Sequence, residues 1–329
     1  MTVASPNRIQ RTGDDRPVSG LYQFVWRMSG WRQATAVLLS LIVAGLSVVP
    51  LELQRRILDQ AVADNDLELL WILAASYLGV VLANGGIKLG LRLYQSWMSE
   101  SAILYCRRHL ADLHRAKQSQ ATDKGTAITI VNKEIEAVGG FVGPALSDPA
   151  RHVGLLVSIL GYMAIVEPLI AFVSLAFLAP QVALAPIIQR KLNTLIEDRI
   201  DLLRSISEQL ADTTSDTSKS PGFRQKTLRV YGNRMRFFFW KFSGKAVLNL
   251  MNSLAPLSVL VLGGWMVVEG RTEIGVVVAF MSGFHRLAEP LRELIAYYRL
   301  SAQTAVQHAL IARWMMRDGA VAGETTGSA

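Results

Sequence analysis

Between Leu67 and Ala116 the sequence contains no proline and keeps helical spacing, so it reads as one helix. Its first part, Leu69 to Leu89 (LLWILAASYLGVVLANGGIKL), is apolar and long enough to cross a bilayer. After Gly90 the apolar run stops, but Tyr94, Trp97, Met98, Tyr105, Leu110 and Leu113 recur at mostly helical steps. Roughly 50 residues at about 1.5 Å each make a rod of about 75 Å, against a hydrocarbon core of about 30 Å. The helix must therefore leave the membrane and stand far out in water. Few membrane architectures require that.

Composition agrees with a membrane chain. Of 329 residues, 51% are hydrophobic and only 18% charged, against about 25% charged in an ordinary soluble domain. The net charge of +8 could suggest nucleic acid, but the basic residues cluster beside apolar runs, which favours a juxtamembrane role. The aromatic and basic run Arg234 to Lys241 (RMRFFFWK) leads straight into a span and reads as an inner interfacial belt, so no nucleic-acid partner is expected. The single cysteine, Cys106, excludes an internal disulfide and reads as an inert residue on a helix face. The first thirty residues are polar, with Asp14, Asp15 and several arginines, and hold no early apolar core of a signal peptide.

In chain order, residues 1–17 read as a disordered tail and 18–32 as an interfacial elbow helix. Leu21, Phe24, Val25 and Met28 fall on one side of that helix, with Tyr22, Trp26 and Trp31 as anchors. Residues 33–318 form a six-helix membrane domain, and 319–329 a flexible tail. The first span covers about Ala34 to Leu53 and continues through Ile57 and Ala61 to the acidic turn Asp64-Asn65-Asp66. The long helix is the second span. After a polar turn, Ser119 to Thr126, Ile128, Val131, Ile135, Val138 and Val142 follow at heptad-like spacing, a packing seam outside the membrane. That helix becomes a third span near Val153 to Val166. The fourth span, Leu169 to Ile188, extends to Leu210 and stops at a second polar turn, Thr213 to Gly222. The fifth is Ala246 to Val268, and the sixth, about Ile274 to Ile295, continues to about Met316.

Basic-residue bias sets orientation. The first, third and fifth turns hold among them one basic residue, Arg271, whereas the amino-terminal segment and the two long excursions hold many, including Arg107, Arg108, Arg190, Lys191, Arg224 and Lys226. Both termini are therefore expected in the cytoplasm, in a multi-pass protein of the plasma (inner) membrane. Arg55 and Arg56, near the outer end of the first helix, go against the trend and point into headgroups or an outer vestibule on this reading.

Six spans, three short outer turns and two long cytoplasmic excursions resemble the transmembrane domain of a type I ATP-binding-cassette (ABC) exporter, over about residues 20–318. Several stretches carry the likeness. Pro50-Leu-Glu-Leu-Gln-Arg-Arg-Ile-Leu-Asp59 resembles the family's segment near the first span. Gly125 to Val138 (GTAITIVNKEIEAV) is similar to the run after the first cytoplasmic turn, with Asn132 and Glu134 near the family's Asn-Asp. Leu228-Arg-Val-Tyr-Gly232 resembles the segment after the second turn, and Thr272 to Gly275, Pro290-Leu291 and Ala312-Arg313 resemble the last span and its exit. The chain departs from the pattern at Thr126, where the family usually has an acidic residue, and in the glycine spacing before Tyr231-Gly232.

No G-x-x-x-x-G-K-[ST] and no LSGGQ-like signature occurs, and the nearest stretch, Pro221 to Thr227, lacks the glycine before its lysine that would let backbone approach phosphate. The chain is expected neither to bind nor to hydrolyse ATP by itself, and no catalytic or metal-binding constellation is visible among its five histidines. The resemblance implies a second transmembrane half, as homo- or heterodimer, and partner nucleotide-binding subunits or domains carrying ATP and Mg2+. It also implies that the two turns dock on those partners, through Ser119, Thr122, Asp123, Lys124 and Gly125 in the first and Ser215, Asp216, Lys219 and Gly222 in the second. The alternative is a truncated or non-transporting relative serving as a membrane scaffold or regulatory subunit.

Polar residues inside spans are costly unless they face water or a partner. His285, Arg286 and Glu289 in the last span line a substrate path, or lie near the inner surface with Arg286 snorkelling and Glu289 paired to Arg292. Asn84 and Asn252 are pathway residues or interhelical hydrogen bonds. Lys88 and Arg92 are expected to snorkel at the inner interface, and Asp148 with Arg151 to form a local ion pair.

Overall fold

The computed structural model describes residues 5–7, 9, 18–116, 134–211 and 221–324. Regular structure among them is helical, with no strand. The chain divides into two units, Met1–Tyr162 with Arg286–Ala329, and Met163–His285.

The first unit begins with α1 (Leu21–Ser29), which turns Leu21, Val25 and Met28 inward with Phe24 half-buried beside them, and leaves Tyr22 and Trp26 exposed, as is Trp31 just beyond it. That is the division the sequence predicts. Gly30 then reverses the chain at φ 54, a conformation other residues resist, and delivers it to α2 (Arg32–Leu46). The first span is not one straight helix to Leu53. α2 stops at Leu46, and α3 (Val49–Arg56) restarts with Pro50 in its first turn, before a π-helical turn, Ile57–Val62. The cause is local: the ring of Pro50 would collide with the Leu46 carbonyl in a continuous helix, and Pro50 has no N–H to donate.

Asn65 takes the left-handed conformation at φ 55 in the predicted acidic turn, and the Asp66 carboxylate accepts the Leu69 N–H at 3.0 Å. This cap starts α4 (Leu67–Ala116), a single helix with the bounds read from the sequence. Its most apolar stretch buries nothing within the chain. Further along, Leu91, Met98, Ala102, Ile103 and Leu110 are all buried. The helix thus leaves an apolar stretch uncovered first and presents a packed face afterwards.

α5 (Ile135–Val142) lays Val138 and Val142 into one core with Ala102 of α4 and Leu21, Val25 and Met28 of α1, and Ile135 into a second with Ile103 and Leu110. Ile135, Val138 and Val142 are three positions of the predicted seam, whereas Ile128 and Val131 lie outside the described residues. The seam helix does not run on into the third span as expected. A turn at 143–146 separates it from α6 (Ser147–Val166), because Pro144 cannot continue the hydrogen-bond ladder.

In the second unit, α7 (Pro168–Ala211) and α8 (Pro221–Val268) form a long antiparallel pair. Lys226 Nζ donates to the Ser205 carbonyl and Gly244 sits against Ile188, two crossings in one register. Pro180, Pro186 and Pro256 lie inside these helices, a pattern tolerated in membrane spans. The start of α9 (Ile274–Glu324) adds buried Val276, Val277, Phe280 and Phe284.

Among the described residues, five segments are long and apolar enough to cross a membrane: Arg32–Val62, Leu67–Asp112, Ser147–Val166, Pro168–Glu208 and Gly222–Val268. α9, expected to supply a sixth, is not among them. His285, Arg286, Glu289, Arg292 and Glu293 dilute the apolar run in its middle.

Candidate functional site

Polar side chains gather at three levels of the first unit. At the far end of the first span, Glu52 is the hub. Arg55 donates to it twice, at 2.9 and 2.8 Å, Arg56 donates at 2.8 Å, and the Tyr162 hydroxyl at 3.0 Å. Arg55 also faces Asp59 at 3.7 Å. The two arginines that break the charge bias therefore turn to a carboxylate one helical turn earlier, not to headgroups. Sequence reasoning noticed the arginines and missed Glu52, although i,i+3 and i,i+4 spacing is a legible pairing signal.

The second level is the break between α2 and α3. Asn84 Nδ2 donates to Ser47 Oγ at 3.2 Å, and Arg286 donates to the Ser47 carbonyl at 3.1 Å. That carbonyl is free to accept because Pro50 has ended the helix around it. Two of the candidate pathway residues, from opposite ends of the chain, thus meet at a third that the sequence did not single out. Asn84 Oδ1 is left buried without a partner among the described residues. Glu289 is exposed and makes no ion pair with Arg292. In the second unit, Asn252 and His285 are both exposed.

The third level joins α4 to the α5–α6 turn. Gln95 donates to Ser147 Oγ at 2.6 Å and to Asp148 at 3.1 Å, while Arg92 reaches the same carboxylate at 3.3 Å. Ser99 donates to the Gly140 carbonyl and accepts the Gly143 N–H, and Gln33 Nε2 donates to the Val142 carbonyl. Arg92 does not merely snorkel. Nor do Asp148 and Arg151 form the expected local pair: the turn at Pro144 aims Asp148 back at α4, and Arg151 bonds to His152 instead, at 3.0 Å.

Outside the spans, α1 is clamped to α9. Tyr297 donates to the Ala145 carbonyl and hydrogen-bonds the Tyr22 hydroxyl at 3.1 Å, and burial followed by that bond raises its pKa above the usual phenol value. The Phe24 ring lies 5.4 Å from that of His308, which is buried. Burial holds His308 below the usual imidazole pKa. Between the folded and unfolded values the unfolded chain binds the extra proton, so stability falls as pH drops. The contribution is complete above about pH 6.5 and is lost as pH falls through the lower, folded value. The unfolding midpoint in neutral detergent is expected to drop on acidification across this window, and His308→Phe to flatten the profile. An unchanged slope in that variant would refute the assignment.

Of the docking residues, Ser119, Thr122, Asp123, Lys124, Gly125, Ser215, Asp216 and Lys219 lie outside the described residues. Gly222 is exposed in the first turn of α8.

No protein-family model matches the chain. Over 73 residues it is 33% identical to the putative multidrug export ATP-binding/permease protein YgaD of Bacillus subtilis (strain 168). The matched stretch is 22% of this chain and spans only 13% of that relative's length.

Proposed function

We propose that this chain is a membrane-spanning part of an ABC-type exporter, one half of a dimeric translocation pathway driven by ATP hydrolysis on partner nucleotide-binding subunits or domains. The observation that carries the proposal is helix length. α4, α7, α8 and α9 have 50, 44, 48 and 51 residues, far beyond the roughly 20 needed to cross a bilayer. Rods of that kind can carry movement from a cytoplasmic motor to the membrane. The partial likeness to a multidrug export ATP-binding/permease protein points the same way.

On this reading α9 is the sixth span, with its ionisable middle facing a water-filled path. Asn84 and Arg286, gathered at Ser47, and Asn252, His285 and Glu289 line that path. The turns Ser119–Thr126 and Thr213–Gly222 dock on the nucleotide-binding partners, which hold ATP and Mg2+. Both termini lie in the cytoplasm.

The test is to purify the tagged chain gently from membranes, identify what accompanies it and assay ATP hydrolysis. The expected result is a co-purifying nucleotide-binding protein, with activity falling at least tenfold when Thr213–Gly222 is replaced by a glycine-serine linker. A chain recovered alone, or with a partner that hydrolyses no ATP, would overturn transport and favour the scaffold reading.

A further inference from the structure

Beside Arg32, where the first membrane-capable segment begins, a cleft of about 980 Å³ runs along α4 from Trp97 past Tyr105 to Arg108 and Asp112. Its roof is made by Ser5, Pro6, Asn7 and Ile9. Trp97 Nε1 donates to the Ser5 carbonyl at 3.0 Å, the Asn7 N–H donates to Ser101 Oγ at 3.0 Å, and Ile9 packs on the neighbouring core. The floor is apolar and aromatic, made by Leu104 and Tyr105. None of the polar contacts described for the exporter reading uses this space.

Charge is distributed unevenly in the cleft. Arg32 lies over the Trp97 ring, 5.6 Å from its centroid, a cation–π contact. Arg108 is exposed and makes no ion pair among the described residues, whereas its neighbour Arg107 pairs with Glu136 at 3.6 Å. His109 stacks on Tyr105 at 5.9 Å. Among the described residues, Asp112 is the one carboxylate in the lining, at the far end. The Arg108 fork at one end of this floor suits an anion that accepts paired hydrogen bonds and carries a greasy body lying toward Trp97. Trp97 to Arg108 is eleven residues of helix, about 16 Å, enough for a short chain beside its headgroup.

We propose that this cleft binds a phosphate-bearing amphiphile. The proposal does not rest on the exporter reading. The ligand could come from the inner leaflet as an anionic phospholipid, or from water as an organic phosphate with an alkyl or aromatic body.

The test uses the full chain in phosphatidylcholine nanodiscs, titrated with radiolabelled dodecyl phosphate below its micelle concentration. A second arm uses nanodiscs doped with phosphatidylglycerol and counts, by native mass spectrometry, the lipid retained after mild extraction. At least one arm should show one saturable site per chain. Arg108→Ala should weaken it by about tenfold, the loss of one charge-assisted contact, while Arg92→Ala, outside the cleft, leaves it unchanged. Retention of phosphatidylglycerol alone assigns the leaflet as the source, and dodecyl phosphate binding alone assigns the aqueous side. Arg108 is exposed on a helix surface, so its replacement should keep the fold, checked by elution volume and helical circular dichroism. Absence of saturable binding in both arms, or binding indifferent to Arg108→Ala, would overturn the proposal.

Discussion

Replacing Gly143 with alanine is expected to destabilise the first unit by about 3 kcal/mol or more, although it adds a single methyl group. That methyl would overlap the Gln95 carbonyl oxygen and sit 2.6 Å from Ser99 Oγ. The first neighbour is backbone of a long helix and cannot swing aside as a side-chain tip would. Either the α5–α6 turn or α4 must move. Moving the turn breaks the Gly143 N–H bond to Ser99 and strains the contacts of Gln95 with Ser147 and Asp148. Gly140 is the internal control, since a methyl there meets nothing within 4 Å and Gly→Ala inside a helix is worth about 0.5–1 kcal/mol in favour of alanine. Denaturant unfolding in mixed micelles compares the two. Equal midpoints for Gly143→Ala and Gly140→Ala would show that the helices do not approach this closely.

The long helices were legible in the sequence because nothing interrupts them. Without proline, and with Asp66 placed to cap, α4 has the predicted bounds. The amphipathic pattern of α1 likewise names its buried residues, since a short helix with one apolar stripe has only one way to pack. What escaped the reading was proline acting at a distance of four residues: Pro50 ends α2 at Leu46, and Pro144 divides the seam helix from α6. Hydrophobic periodicity passes through both breaks undisturbed, so a pattern of apolar spacing does not register them.

The candidate site was less legible for the same reason. Asn84 and Arg286 could be named as odd residues in apolar runs, but Ser47 owes its role to a carbonyl that Pro50 frees. Arg92 looked like a snorkelling cation because its partner, Asp148, is 56 residues away and is aimed at it by the turn at Pro144. The cleft under the amino-terminal stretch had no sequence signal at all. Its parts come from Ser5, Pro6, Asn7, Ile9, Arg32 and α4, and only folding brings them together.

Glu52→Gln is expected to cost about 2–3 kcal/mol, between the roughly 0–1 of a surface pair and the 3–5 of a fully buried one. The carboxylate is about a quarter exposed, as is the Arg55 side chain. Glutamine keeps the shape but removes the negative charge that Arg55, Arg56 and Tyr162 share. Two guanidiniums would then lie within one turn of each other on a membrane-capable segment, with the charge balance lost. If that imbalance is the source of the cost, the double variant Glu52→Gln, Arg55→Met should recover part of it, because the second change removes a cation that has lost its main counterion. Tyr162→Phe, which deletes one hydrogen bond from α6, should cost only about 1 kcal/mol. Unfolding midpoints for the four proteins in one detergent separate the possibilities. A Glu52→Gln protein as stable as the parent would mean that water already screens the arginines, and that this end of α3 opens into an aqueous vestibule and is not packed against lipid or protein.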